Sequence, residues 1–250
     1  MNRTLCLGLL MVALTLAGQP AVAQNYAKPS YENLLQTLIR MGALNITDDT
    51  VIGDYAVITE CKLHATFFKD DFKWNRVRQA MRQSIKQNVA TYPTGYAYEA
   101  ELQLDRYDFK EQLYKFKERA TVKNVNVFGL FSTEGRTCAG QKVNVLPNAF
   151  RAVLHEPIYF IGIPLTEGDA KGLLARMEAA TNRDRIVYAR FNLRITYVPP
   201  LRRPDNAPKE TLVPLQQEKS DSSVRLDARL DSLEIYEDAE RSKLIYNYQL

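Results

Sequence analysis

The apolar residues of this chain change from a helical period to alternation at Pro93, and that change limits what each part can become. Upstream, large apolar residues recur every three to four positions, the spacing of one helix face. Downstream, apart from one further helical stretch, they recur at every second position, which places them on one face of a strand. Tyr31, Leu34, Leu35, Leu38 and Ile39 predict a helix capped by Ser30, running to about Met41 and stopped by Gly42. Asp70 or Asp71 opens a second helix to about Val89, with a stripe of Trp74, Val77, Met81, Ile85 and Val89, and Tyr92-Pro93 ends it. Residues 47–68 fit two patterns. Tyr55, Val57, Cys61, Leu63, Ala65 and Phe67 alternate as in a strand, whereas Val51, Tyr55, Ile58, Lys62 and Ala65 fit a helix begun by Thr47-Asp48-Asp49. Carboxylates suit the free N–H groups of a helix start, so helix is the expectation.

Beyond Pro93, Tyr96, Tyr98, Ala100, Leu102 and Leu104 alternate with polar residues and predict a half-buried strand. A turn near residues 108–111 leads to residues 113–119 as the second arm of a hairpin, and residues 121–130 read as another strand. Residues 132–142 are a polar, glycine-bearing loop holding Cys138. Residues 150–155 and 158–163 read as two strands broken by Glu156-Pro157. Thr166-x-x-Asp169 resembles a capping box and introduces a helix with Ala170, Leu173, Leu174 and Met177 on one face. The cleanest strand follows over residues 187–197, after a return at residues 182–184. Residues 199–223 carry prolines at 199, 200, 204, 208 and 214 and few large apolar residues, so they read as a long extended loop. Two strands close the chain. The apolar phase slips by one between Leu230 and Leu233, which predicts a β-bulge near Asp231. The predicted class is α+β: a helical part over residues 24–92, then a mostly antiparallel β-rich body over residues 93–250 with one further helix, as one domain.

The first 23 residues set a second expectation, about place. Arg3 supplies a positive start, residues 5–17 are a short apolar run, and Ala21-Val22-Ala23 fits the small-x-small cleavage pattern. Together they read as a secretory signal peptide removed before Gln24. The run is shorter than the about 20 residues of a spanning helix. No later stretch reaches that length, so the mature chain is expected to be periplasmic or secreted, without a transmembrane segment. Cys6 lies at the start of the run and not at the cleavage point, which argues against a lipid-modified cysteine. Export leaves two cysteines, Cys61 and Cys138, in an oxidising compartment, where one disulfide is the expected outcome. The net charge of +4 loses only Arg3 on cleavage. That mild excess, in that compartment, argues against nucleic acid as a partner.

Residues that could carry chemistry are few. A Cys-His pair needs a thiolate and a base within hydrogen-bond reach. The two histidines are His64, three positions after Cys61, and His155. Neither stands in a cysteine-protease signature. No histidine spacing or Cys-x-x-Cys suits a metal, and no phosphate-binding or nucleotide-binding glycine motif is present, so no cofactor or metal is expected. Asp48-Asp49, Asp70-Asp71 and Glu167-Gly168-Asp169 are explained as helix N-terminal carboxylates rather than as calcium ligands. A pair of facing carboxylates, as in a glycosidase, leaves no sequence mark. The helix from Asp70 has a basic outer face of Lys73, Arg76, Arg78, Arg82 and Lys86, which suits solvent or an anionic lipid or polymer.

Three stretches carry a resemblance: Asp71-Phe72-Lys73-Trp74 with its helix, residues 157–177 around IYFIGIPL, and the ending SLEIYEDAERSKLIYNY. Together they resemble a family of exported bacterial proteins that bears only a domain-of-unknown-function label, and the resemblance implies no activity and no catalytic residues. The functional expectation is therefore a non-enzymatic envelope protein that binds a protein or glycan partner through β-edges or the proline-rich loop. The alternatives are a hydrolase of envelope polymers, using carboxylates or a Cys-His pair, and a lipid- or glycan-binding module using the basic helix.

Overall fold

The computed structural model describes residues 26–117, 122–132, 136–137, 141–143, 145–147, 149–202, 213–214 and 223–249. The fold is α+β, with helices early and an eight-stranded, mostly antiparallel sheet later. Helix α1 spans Tyr31–Arg40. Ser30 Oγ accepts the Asn33 N–H at 3.2 Å, and Gly42 takes φ +73° just beyond the last turn. Residues 47–68 are helical, but as two helices, α2 (Asp49–Thr59) and α3 (Cys61–Phe67). The break is at Glu60, whose φ of −133° and ψ of 53° leave the helical region and give α3 a new direction. Helix α4 (Asp71–Asn88) begins at Asp70, which accepts the Lys73 N–H at 3.0 Å, and a short 3-10 turn follows over Val89–Thr91.

The strands are β1 (Gly95–Asp108), β2 (Leu113–Phe116), β3 (Val122–Ser132), β4 (Arg136–Thr137), β5 (Gln141–Lys142), β6 (Ala149–Phe160), β7 (Gly162–Pro164), β8 (Ile186–Tyr197), β9 (Leu201–Arg202), β10 (Val213–Pro214), β11 (Val224–Tyr236) and β12 (Leu244–Gln249), with α5 (Glu167–Ala179) between β7 and β8. The main sheet runs β3-β6-β11-β8-β1-β2-β7, and β12 also pairs with β11. Among the described strand pairs, only β6–β11 is parallel. Strands β6 and β7 are separated by Ile161 alone, yet β6 lies second and β7 last along that path. The sheet path therefore returns to itself through the chain.

Three expectations are corrected. Residues 150–160 are one strand, not two broken at Glu156-Pro157. Across from β3, Val125 pairs with Ile158 but Val127 pairs with Val153, so residues 154–157 swell out as an irregularity. Proline has no N–H to give a ladder, and a bulge is where a strand tolerates it. The loop at residues 132–142 contains the short β4–β5 ladder, and the proline-rich stretch contains the β9–β10 ladder. Residues 203–212 and 215–222, and Cys138, lie outside the described residues. The bulge at Asp231 is present where the phase slip put it: Leu230 pairs with Leu193 and Ser232 with Asn192.

One set of packed apolar residues runs through helices and sheet, including Leu34, Leu38, Ile52 and Ile85 with Tyr96, Phe150, Leu193 and Ile235. Tyr31 stacks on Phe131 with ring centroids 5.6 Å apart. Tyr96 donates its hydroxyl hydrogen to the Asn33 carbonyl at 2.7 Å, tying α1 to β1. The buried carboxylate of Asp54 in α2 accepts the N–H groups of Val145 at 2.6 Å and Leu146 at 3.3 Å, across more than 90 residues of sequence.

Candidate binding groove

Strand β11 shares one edge between two partners. Its first part, residues 224–228, pairs in parallel with residues 150–154 of β6. Its last part, residues 232–236, pairs antiparallel with β12. The turn that returns β12 is set by Asp238, whose carboxylate accepts the Ser242 N–H at 3.0 Å and the Lys243 N–H at 2.7 Å. Two strands cannot occupy one edge at one height. So β6 leaves β11 after Leu154, at the swelling that contains Pro157, and runs on to Phe160 and β7.

The fork opens a cavity of about 710 Å³. Volumes of this size suit a small ligand or a short chain segment. Ala228, Leu230 and Leu233 of β11 line it, with Leu154, Pro157, Ile158 and Phe160 on one side and Tyr246 and Tyr248 on the other. Phe160 and Tyr246 stack at 5.9 Å, narrowing one end. His155, Glu156 and Arg229 supply its polar groups. Among the described residues, β12 pairs only with β11, β6 beyond Leu154 pairs only with β3, and residues 229–231 pair with neither β6 nor β12. Backbone N–H and C=O groups at such edges seek a partner strand.

The bulge is clamped. The Asp231 carboxylate accepts from the Tyr26 hydroxyl at 2.8 Å, Arg194 Nε at 2.7 Å and Arg229 Nε at 2.8 Å. Partial burial pushes its pKa up, but the hydrogen bonds from Tyr26 and Arg194 outweigh this, so the carboxyl stays below the usual carboxylate range. The clamp fixes the groove-facing turn of β11 and ties down the N-terminal segment.

The sequence-predicted residues fall elsewhere. Cys61 is exposed at the head of α3, with Sγ 3.7 Å from the Val57 carbonyl oxygen. His64 is buried, stacked on Phe68 at 4.6 Å and edge-on to Trp74 at 5.3 Å. Its ring is part of an aromatic packing cluster. His155 lines the groove. Asp48, Asp70 and Thr166-Asp169 sit at helix starts, with Asp48 accepting the Thr50 N–H at 2.8 Å. Arg78 and Arg82 turn away from the basic face of α4 to Asp49, and Arg82 also donates to the Ile46 carbonyl at 2.8 Å. A second cleft of about 610 Å³ lies among α1, α2 and α4 and collects Glu32 and Glu60. Among the described residues no group of three or more His, Cys, Asp or Glu side chains could hold a metal ion. Nor is any helix among them long and apolar enough to cross a membrane. Sequence reasoning missed Asp54 and the groove. Asp54 stood within the α2 apolar run, and no sequence signal marked two strands sharing one edge.

Burial pushes the His64 imidazole below its ordinary value of 6.5, and the Asp54 charge opposes this only in part. The unfolded chain therefore binds the proton more readily. Stability from this group is complete above about pH 6.5 and is lost as pH falls through the lower folded value. We expect His64→Phe to flatten the difference between urea unfolding at pH 7.5 and at pH 5. An unchanged pH slope in the variant would show that the burial is not felt.

Together these features define an α+β protein whose sheet forks around an apolar groove. Residues 48–176, just over half the chain, match the model of a family described as a domain of unknown function (DUF4852), and the chain belongs to that family. The match runs from α2 into α5, so it includes β6 and β7 of the groove but not β11 or β12. No curated protein and no solved structure matches the chain.

Proposed function

We propose that the protein is exported, sheds residues 1–23, and acts without catalysis by holding an extended apolar segment of an envelope protein in the forked groove. The observation that carries this reading is the pairing of an apolar cavity with open strand edges on β6 and β12. Recognition by strand addition draws affinity from main-chain hydrogen bonds and specificity from alternate side chains in pockets. The groove offers both, with Tyr246, Leu230 and Phe160 as the pocket walls.

The test is an array of tiled peptides from envelope proteins, probed with the purified protein. Apolar extended segments should bind. N-methylation of alternate backbone amides, or Leu230→Lys, should abolish the binding. Peptides that bind equally well after N-methylation, or a wholly silent array, would overturn the reading.

Export also predicts a Cys61–Cys138 bridge. Closing a loop of that length is worth about 4 kcal/mol in the chain-entropy picture. Mass mapping of the native protein without reductant should recover one linked peptide pair, and reduction should lower the unfolding free energy by a comparable amount. Free thiols at both positions in native protein would remove the bridge and weaken the case for an oxidising compartment.

A further inference from the structure

The corner between α3 and α4 places two phenylalanines in solvent. Phe72 is 85% exposed and Phe68 is 54% exposed. Only Lys69, Asp70 and Asp71 separate them. Large apolar side chains so exposed are ordinary singly, but a pair at one rigid corner marks a contact surface. The corner is well supported: Phe68 stacks on His64 and meets the buried Trp74 ring edge-on at 5.7 Å, while Asp70 caps α4 and pairs with Lys73 at 3.1 Å.

Charge indicates the partner. Residues 60–88 hold seven cations against three carboxylates, an excess of +4 equal to that of the whole chain. Arg78 and Arg82 are occupied by Asp49, and Lys73 by Asp70. Lys62, Lys69, Lys73, Arg76 and Lys86 are all exposed, and they flank the corner or continue along α4 from it. Exposed aromatic rings within a basic surround match the interface of an anionic bilayer, where rings enter the headgroup region and cations meet phosphates.

We propose that the α3–α4 corner is a membrane-docking tip, with Phe68 and Phe72 inserting into the surface of an anionic bilayer and Lys69 and Arg76 contacting lipid phosphate. The tip is remote in sequence from the groove residues, and its action does not depend on the peptide reading. It also leaves the body of the fold outside the bilayer, since only the corner is presented.

Trp74, the sole tryptophan, lies directly beneath Phe68 and serves as the reporter. Protein expressed from its full coding sequence and purified from the soluble fraction is mixed with vesicles of phosphatidylglycerol and phosphatidylethanolamine, or of phosphatidylcholine alone. Binding is read by co-sedimentation and by quenching of Trp74 with brominated lipid. Any contribution of the N-terminus is common to all variants. Phe72→Ser should weaken binding to anionic vesicles about tenfold, as loss of one buried phenylalanine implies. Phe72 is so exposed that this variant should keep its fold, checked by circular dichroism. Lys69→Glu with Arg76→Glu should weaken binding further, more at low salt than at high salt. No binding of the parent to anionic vesicles, or binding untouched by Phe72→Ser, would overturn the proposal. Equal binding to phosphatidylcholine would overturn its electrostatic half. A protein partner lost in Phe72→Ser while vesicles are ignored would reassign the tip to protein recognition.

Discussion

Gly162→Ala is expected to lower the unfolding free energy by about 3 kcal/mol, a large effect for one methyl group. A Cβ at this position would lie 2.5 Å from the Tyr114 carbonyl oxygen, 2.9 Å from Lys115 Cα and 3.0 Å from Leu113 Cγ. Two of those atoms are backbone, so no side-chain rotation relieves the clash. The strand must move instead. Gly162 faces Lys115 in the β2–β7 ladder, next to the pair formed by Tyr114 and the fully buried Ile163. Displacing β7 therefore pulls Ile163 from the core and loosens the seam that closes the sheet path. Gly162→Val should be worse and should also reduce peptide binding, because Gly162 and Pro164 line the groove. Urea unfolding of both variants is the measurement. An alanine variant within about 0.5 kcal/mol of the parent would mean that the strands are not in contact at this point.

Asp54→Ala should cost a similar amount, about 3 kcal/mol, by a different route. The N–H groups of Val145 and Leu146 lie in residues 0% and 3% exposed, and both donate to the same carboxylate oxygen. Alanine removes that acceptor and admits no obvious replacement, so two buried donors lose their partner at once. Asp54→Asn keeps a carbonyl oxygen in place and should lose clearly less. The ratio between the two variants separates loss of an acceptor from loss of a charge. Asp54→Asn should also lower the His64 pKa further, because the carboxylate charge that raises it is gone. An NMR titration of His64 reads this directly. Equal losses in the alanine and asparagine variants, with His64 unmoved, would show that the carboxylate does not hold the 145–146 segment.

The parts of the fold legible in the sequence are those set by local rules. Ser30, Asp70 and Thr166 each cap the helix that their side chains announced, because capping needs only residues three positions apart. The bulge at Asp231 was visible because a phase slip is a one-dimensional signal. The reading of residues 47–68 found helix but missed the break at Glu60. No proline or glycine marks that position, and the new direction of α3 is accompanied by packing of His64 against Trp74, a contact to a different helix. Pro157 misled for the opposite reason. A local rule forbade a continuous strand, but the bulge against β3 supplied a site where its missing N–H does no harm. The groove was not legible at all. Its walls, residues 158–160 and 244–248, were both recognised as strands, but that they compete for one edge of β11 is a fact of long-range pairing. Asp54 was hidden likewise, since its partners lie far along the chain.

The place of β11 in the sheet has a consequence for synthesis. This strand joins β6 to β8 and carries β12, yet it follows both β6 and β8 in the chain and is the last but one of the described strands. Until residue 236 has emerged, β6 and β8 each lack a neighbour along one flank, so a nascent chain cannot settle its sheet from the N-terminus forward. Such an order delays closure of the sheet until β11 is at hand. A chain built this way stays threadable until that strand is made, and its sheet locks only then.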